Sequence, residues 1–490
     1  MIQKQFVKVI FPFLYNQTEE MKLETISVTS KKGKEKYLFN KIGFDNLELR
    51  KGLPDLFSSA DNKSKIVNCY QMEPNSRMEF GLPNRSDEYM DFCCRGQAEE
   101  TPYKIAITEV KIYLFESGVG FVEAECVGKS TEISDLITSN YFLSERKTDD
   151  NYFSLKIKHG KEESETVNFT LKKLLGNVLN YVPGVTDFYT GGNWDASGEK
   201  GILYSYVYLD EKSVNFANEL FNMRMNYKAS YKFPQDAMSL KENPFVLQQF
   251  DNSYWAASYN GAVNVSIQTE DATTNGFFEQ DFVHKMCNEY YILFLAVLHQ
   301  RFAIMKLMWE MGELDRLDTD YANMKIQLEE ARRYQKETAD LRFRDFFKLP
   351  SYIQHVNDYY DLLYRTFCID ELYEDFCQDL NNVEQICGMY VEKIQKYDEQ
   401  KKRCRTAWIE CIVSFIAAMI SSVPLLNDAW AVQERICQTT GAEFRWPVIV
   451  VAAFWGITFI GAIINAVRRG KEGRDIGKEL KKAKSGSIDK

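Results

Sequence analysis

The two longest apolar segments of the chain lie near its C-terminal end. One runs from about Thr406 to Leu426 and the other from Trp446 to Val467. Each is about 21 residues long, and a helix that rises 1.5 Å per residue needs roughly 20 apolar residues to cross the hydrocarbon core of a bilayer. The pattern therefore predicts a hairpin of two transmembrane helices over residues 406–467.

Basic residues flank this predicted hairpin on its outer sides. The run Lys401 to Arg405 precedes the first segment, and a basic tail, residues 468–490, follows the second. Short segments rich in Lys and Arg stay in the cytoplasm. We therefore expect a multi-pass protein of the inner membrane that contacts lipids, with both termini cytoplasmic and only about residues 427–445 outside.

Residues 1–275 have the patterns of strands and short helices. Two β-prone runs flank the turn sequence Ser117–Gly120, and two more flank Asn260-Gly261, both of which are typical of hairpins. The N-terminal residues read as a first strand rather than a signal peptide. The sequence predicts a further strand at 202–209 and helices over Thr170 to Tyr181 and Ser213 to Met225. This region is predicted to be a cytoplasmic α/β domain.

Residues 276–405 follow a helical period. Tyr290 to Leu298 is apolar but too short to span a membrane, so it is predicted to be a buried helix. After Pro350 no proline occurs until Pro424, which predicts one helix from Ser351 to Leu426, about 75 residues and roughly 110 Å long. Within it, a coiled-coil-like seam is formed at spacings of four and three by Leu372, Phe376, Leu380, Val383, Cys387, Tyr390 and Ile394.

Composition limits the classes of function. The net charge is −10 and the pI is about 5.3, which argues against nucleic acid as a partner. The eleven cysteines form no Cys-x-x-Cys pair, and the four histidines have no metal-ligand spacing. Neither a nucleophile elbow nor a P-loop occurs. We therefore expect that the protein is not an enzyme.

This layout resembles the CorA family of divalent-cation channels, by architecture over essentially the whole chain. The resemblance implies an α/β cytoplasmic domain followed by a long helical stalk and two transmembrane helices. It also implies a homo-oligomer of five chains, with Mg²⁺ as the transported or gating ion. The family's Gly-Met-Asn motif, however, is replaced by Leu425-Leu426-Asn427, followed by Asp428. These four positions are the candidate selectivity residues at the pore mouth, and the altered motif predicts weaker discrimination for magnesium.

A stripe of polar and small residues follows one face of the predicted stalk and first span. At 100° per residue its members fall within about 40° of one direction. They are the stalk carboxylates Glu392 and Glu399, the cation Arg403, the pore-lining candidates Glu410, Ser414, Ala417 and Ser421, and Asp428. Such a stripe suits a helix that lines a water-filled path. Alternatively, small residues on this span allow close helix packing and Glu410 reaches the membrane interface.

One glycine-rich loop is a candidate ligand site. Gly191 and Gly192 would let backbone amides approach an anion, Trp194 would offer a stacking face, and Lys200 a charge. The alternative is an ordinary connecting loop.

Three functions follow from these patterns. The first is a CorA-like channel for cations, expected to be divalent. The second is a ligand-gated membrane effector of a CRISPR-type antiviral system that senses a small nucleotide, a role that some divergent CorA-like proteins have. The third is a membrane-tethered scaffold without a pore.

Overall fold

A computed structural model describes residues 1–17, 23–29, 35–44, 49, 57, 67–94, 101–145, 149–158, 164–194, 200–232, 240, 242–313, 321–345, 349–440, 449–450, 452–461 and 464. The chain divides into two units. The first combines Met1–Glu310 with Glu337–Phe376, and the second combines Met311–Lys336 with Cys377–Lys490. The first unit therefore includes, beyond residues 1–275, helices that come later in the chain.

The first unit is built on a large mixed sheet. In chain order, the described strands β1 to β15 are Ile2–Leu14, Ser27–Thr29, Glu35–Tyr37, Phe39–Ile42, Val67–Met72, Met90–Cys93, Tyr103–Phe115, Val119–Gly128, Tyr152–Lys158, Ser164–Phe169, Thr186–Asp187, Ile202–Leu209, Val246–Phe250, Ser253–Ser258 and Gly261–Ile267. The main order is β10-β9-β6-β7-β8-β1-β12-β15-β14-β13, with β5 also on β7, β4 on β5 and β11 on β1. β2 and β3 form a separate pair. Only β12 and β15 pair in parallel among these strands.

The predicted strands and hairpins are confirmed. β7 and β8 are antiparallel across a turn at Gly118, whose φ of 80° is in the left-handed region that favours glycine. β14 and β15 meet at Gly261, where an added Cβ would lie 1.8 Å from the carbonyl oxygen of Leu203. Glycine is therefore required at this turn by both its φ of 143° and the neighbouring strand.

The described helices include the predicted ones. In chain order, α1 to α9 are Ile133–Ser144, Leu171–Leu179, Phe216–Met225, Ala272–Gly276, Phe282–Cys287, Glu289–Glu313, Tyr321–Asp345, Gln354–Thr366 and Ile369–Thr440. Short helical turns occur at Leu23–Thr25, Pro74–Phe80 and Phe277–Asp281. All side chains from Tyr290 to Leu298 are buried, as predicted.

Two helical stretches are long and apolar enough to cross a membrane. Of the most apolar 18-residue part of Ala272–Gly312, 72% is buried, whereas the corresponding part of Ile369–Ser421 is only 7% buried. The first is therefore a core helix of a folded domain, and the second leaves its apolar surface uncovered.

The prediction of one helix from Ser351 to Leu426 is wrong at both ends. α8 ends at Thr366, and Cys368 takes a left-handed φ of 52°, which breaks the helical path before α9 begins. α9 then continues past Leu426 to Thr440, so residues 427–440 are helix rather than outer loop. No glycine follows Gly388 until Gly441, and α9 continues through Pro424, a residue that favours an earlier end.

In the second unit, α7 covers part of the predicted seam. Leu328 of α7 packs against Cys387 and Val391 of α9, with Val383 and Tyr390 partly buried beside them. The guanidinium of Arg332 lies 3.4 Å from the carboxylate of Glu384 at the edge of this contact. The seam is therefore packed, over this stretch, within one chain and does not require a second copy.

Residues of the predicted second span are described only in part. Ala452–Gly461 is an apolar helix. Trp446 and the basic tail 468–490 lie outside the described residues.

A buried ionic network joins the centre of the sheet to α6. The ammonium of Lys8 on β1 lies 2.8 Å from Glu123 and 2.6 Å from Glu125, both on β8. The hydroxyls of Tyr113 and of Tyr291, on α6, donate to the other oxygen of Glu123. Lys8 and Glu123 are at most 1% exposed, so each depends on the other for neutralisation.

The pKa values in this network follow from burial and from the opposite charges. Burial alone would lower the pKa of Lys8, but the facing carboxylates hold it well above its usual value. Burial also opposes ionisation of Glu125, yet the Lys8 charge and hydrogen bond bring its pKa to about 2. The same ammonium keeps the pKa of Glu123 below its usual value. The charged forms are therefore the stable ones in the folded protein.

Candidate functional site

The polar stripe lies on an uninterrupted helix. The four pore-lining candidates Glu410, Ser414, Ala417 and Ser421 are all exposed on α9. The Ser421 hydroxyl donates to the carbonyl oxygen of Ala417 at 2.7 Å, so it is satisfied within its own helix. Because the helix is continuous, the period that predicted a common face holds from the stalk through this segment.

The remaining surface of this segment is apolar and uncovered. The exposed fractions of its large side chains run from 37% for Met419 to 68% for Ile420. The others are Trp408, Ile409, Ile412, Val413, Ile416 and Val423. A soluble surface rarely carries a continuous apolar patch of this kind. This surface therefore calls for cover by lipid or by other helices.

The four mouth candidates lie inside a helix. Leu425 to Asp428 are followed by three further helical turns to Thr440, and Asn427 and Asp428 are exposed. The expectation that they end the first span at a loop is corrected by this continuity. At 1.5 Å per residue, residues 429–440 extend about 18 Å beyond Asp428.

The two stalk carboxylates pair with cations on the same helix. Glu392 lies 2.6 Å from Lys396, and Glu399 lies 3.8 Å from Arg403, each one turn apart. The hydrogen bond from Lys396 also holds the pKa of Glu392 below its usual value. Such exposed pairs add little stability. No group of three or more His, Cys, Asp or Glu placed to hold a metal ion occurs within the described part of the chain.

The glycine-rich loop is organised by Asp187 rather than open for a ligand. The carboxylate of Asp187 accepts hydrogen bonds from the amides of Tyr189 and Thr190 and from the Thr190 hydroxyl. The amide of Gly192 donates to that hydroxyl, and the amide of Gly191 to the Asp187 carbonyl oxygen. The predicted anion-binding amides are therefore already engaged in a turn.

The two side chains predicted to serve this loop are also engaged elsewhere. Trp194 is buried edge-on against Phe11, and its indole nitrogen donates to the carbonyl oxygen of Lys172. Lys200 lies 3.8 Å from the ring centre of Tyr141, and burial lowers its pKa. Trp194 thus fills the core instead of offering a stacking face. Residues 195–199 lie outside the described residues.

A different cavity in the first unit has the features of a ligand site. Its volume is about 690 Å³, within the range of small-molecule sites. It lies between α3, the start of β13 and the β14–β15 turn. Its walls are formed by Phe221, Arg224, Met225, Tyr227, Tyr231, Lys232, Phe245, Ala257, Ser258, Tyr259, Asn260 and Thr366. No sequence motif marks this cavity, because its residues come from four separated segments.

Arg224 is the buried cation of this cavity. Its guanidinium lies 5.0 Å from the ring centre of Phe245 and 5.5 Å from that of Phe221. Its one hydrogen bond to the described residues is a long one, 3.4 Å, to the carbonyl oxygen of Ala257. Burial lowers the pKa of Arg224, and no described carboxylate lies near enough to raise it.

No family model matches the chain, and neither a curated protein nor a solved structure does.

Proposed function

We propose that the protein is a CorA-like, homo-oligomeric membrane channel for cations, expected to be divalent. One observation carries this proposal: on a single continuous helix, exposed apolar residues surround a stripe that contains Glu410, Ser414, Ala417, Ser421 and Asp428. Lipid would cover the apolar faces, and the stripes of several copies would face one another around water.

The charge of the stripe fits cations. Repeated around a symmetric ring, Glu410 and Asp428 would form two rings of carboxylates, which attract cations. Mg²⁺ is the ion that the family resemblance suggests, as transported or gating ion. The same resemblance is the basis for five copies, whereas the basic residues that flank the apolar segments are the basis for an inner-membrane location and for cytoplasmic termini. The membrane segment, not the stalk seam, is the reason to expect an oligomer, since α7 packs on that seam.

Ion flux tests the proposal. Purified full-length protein is reconstituted in liposomes, and uptake of Mg²⁺, K⁺ and Cl⁻ is followed with indicator dyes. We expect cation uptake that falls in Asp428→Asn and in Glu410→Gln, and less in Asn427→Ala. Glu434→Gln is the matched control, because Glu434 is an exposed acid of the same helix about 120° away from the stripe. Equal cation and anion flux, or equal effects of Asp428→Asn and Glu434→Gln, would refute the proposal.

A second candidate is the ligand-gated version of this channel. The cavity around Arg224 favours it, because a buried cation that has no carboxylate partner among the described residues is suited to a small anion. The third function, a scaffold without a pore, predicts that reconstituted protein changes no ion flux.

A further inference from the structure

Two buried arginines of the first unit differ in how their charge is satisfied. Arg77 is 4% exposed and donates to three backbone carbonyl oxygens, those of Pro83 at 2.8 Å, Ile107 at 2.7 Å and Thr108 at 3.1 Å. Arg224 is 7% exposed and has the single 3.4 Å contact with Ala257. Arg77 is therefore bonded into the fold on several sides, whereas most of the five N–H donors of Arg224 have no acceptor among the described residues.

A second buried polar group in the same cavity is also unsatisfied. The hydroxyl oxygen of Thr366, at the end of α8, is buried and has no hydrogen-bond partner among the described atoms. A buried polar group without a partner costs stability, and a buried guanidinium costs more. The Thr366 hydroxyl oxygen is closed off from solvent and so is not open to a ligand, whereas the guanidinium of Arg224 is best explained by a ligand that supplies the missing acceptors.

Aromatic rings complete the walls. Tyr231, Phe245 and Tyr259 line the cavity and are each more than 40% exposed, an unusual exposure for three large rings at one place. Lys232 adds a second cation beside them. Rings of this kind stack on a planar group, and a cation behind them neutralises an anion.

We infer that this cavity binds a small ligand that combines a planar ring with an anionic group. The anion would sit on Arg224, within reach of Lys232, and the ring would pack against Phe245 and Tyr259. Phosphate and carboxylate are both acceptors that match the guanidinium fork. A nucleoside monophosphate and an aromatic carboxylate are therefore the two sources of this chemistry.

The cavity also adjoins the corner from which α9 begins. The hydroxyl of Tyr259 lies 3.0 Å from the sulfur of Cys368, the left-handed residue between α8 and α9. Arg301 lies 4.5 Å from the ring centre of Tyr259 and donates to the carbonyl oxygen of Phe367. A ligand that packs on Tyr259 thus touches the residues that fix this corner. Regulation of the pore by this route rests on the proposed channel function.

Binding is measured on full-length protein in detergent, by isothermal titration and by the shift of the melting temperature. The probes are adenosine 5′-monophosphate and 4-hydroxybenzoate, each carrying a ring and an anion. Adenosine and inorganic phosphate are the separate halves of the first probe, and phenol and formate are those of the second. We expect one of the complete probes to bind at least about tenfold more tightly than either half, since each half forfeits a stacking or a charge-assisted contact. No binding of either complete probe at millimolar concentration would overturn the inference.

Variants place the ligand in this cavity. Arg224→Met should lower affinity by about ten- to a hundredfold, the loss of one charge-assisted interaction. It should also leave the melting temperature of the free protein unchanged or higher, because an unpaired buried charge is replaced by an apolar chain. Arg77→Met should instead lower that temperature. The matched control is Lys212→Met, which removes a cation that lies over two rings outside the cavity.

The opposite results would be decisive. Binding that survives Arg224→Met, or falls equally in Lys212→Met, would show that the ligand does not use this cavity. A melting temperature that falls as far in Arg224→Met as in Arg77→Met would show that Arg224 is structural.

The link to the pore is tested separately in liposomes. We expect the complete probe that binds to change cation flux in the wild type and in Lys212→Met, and to have no effect in Arg224→Met. Binding without any flux from any variant would refute the channel and leave the site standing. If cation flux occurs but the bound probe does not change it, the regulation is refuted, whereas the channel and the ligand site are both retained.

Discussion

Lys8→Met should be among the most destabilising single substitutions in the first unit. The change removes the only ammonium that lies between Glu123 and Glu125 among the described residues, and it leaves a fully buried carboxylate with two tyrosine donors. Breaking a buried ion pair by removing one partner costs about 3–5 kcal/mol. Methionine fills a similar volume, so the cost comes from the uncompensated charge rather than from a cavity.

The corresponding shift in melting temperature can be worked out. Unfolding entropy is about 2.1 cal/mol/K per residue, which gives roughly 0.7 kcal/mol/K for a unit of about 350 residues. A loss of about 3–5 kcal/mol then lowers the midpoint by roughly 4–7 °C. The intrinsic fluorescence of full-length protein in detergent reports this transition, since Trp255 is fully buried in the first unit.

A double variant separates charge from packing. Lys8→Met with Glu123→Gln removes the fully buried pair but leaves Glu125, which is 15% exposed, without its ammonium; it should recover part of the lost stability, since replacing a buried pair is nearly neutral. In the single variant the loss should also grow above about pH 4.5, because the unpaired Glu123 then has a raised pKa and its ionisation opposes folding. A single variant within 1 °C of the wild type, or a double variant no more stable than the single one, would refute the reasoning.

Three further predictions concern other parts of the chain. The pKa of Glu125 is about 2 in the folded protein and 4.5 in the unfolded chain. The stabilising effect of its charge is therefore complete above pH 4.5 and is lost as the pH falls towards 2. The melting temperature of Glu125→Gln should fall less steeply with acid than that of the wild type. Gly261→Ala should cost more than about 2 kcal/mol in thermal unfolding, whereas Gly191→Ala, with a positive φ but open space, should cost about 1–2 kcal/mol. Leu328→Ala should weaken the packing of α7 on α9 by about 2–4 kcal/mol, seen as faster amide hydrogen exchange over residues 321–336, and unchanged exchange there would contradict that packing.

The strands and helices of the first unit are largely predictable because their signals are local. Asn260-Gly261 specifies a tight turn, and the apolar run Tyr290 to Leu298 is too short to span a membrane and too apolar to be exposed. Pairings between distant segments, such as the parallel contact of β12 with β15, leave no such local trace. The sequence also gives no sign of the left-handed corner at Cys368, because cysteine is not a residue that favours this conformation.

The functional candidates divide in the same way. The stripe on α9 is predictable because it repeats along one helix. The prediction fails at residues 427–440, because the apolar run ends at Leu426 whereas the helix continues to Thr440. The cavity around Arg224 is not predictable, because a lone arginine on a short helix is typical of a solvated surface. Only the tertiary structure shows that its charge is buried with no carboxylate beside it in the described part of the chain.

The first unit is formed by two separate segments of the chain, and this has a consequence for the synthesis of the protein. Its central strand β1 is synthesised first, yet the unit is complete only when Phe376 has been added. Thr406, where the uncovered apolar segment starts, follows about 30 residues later, which is a few seconds of synthesis at 5–20 residues per second. Assembly of the β-sheet and synthesis of this apolar segment must therefore nearly coincide, and any delay in sheet assembly would expose both apolar surfaces in the same nascent chain.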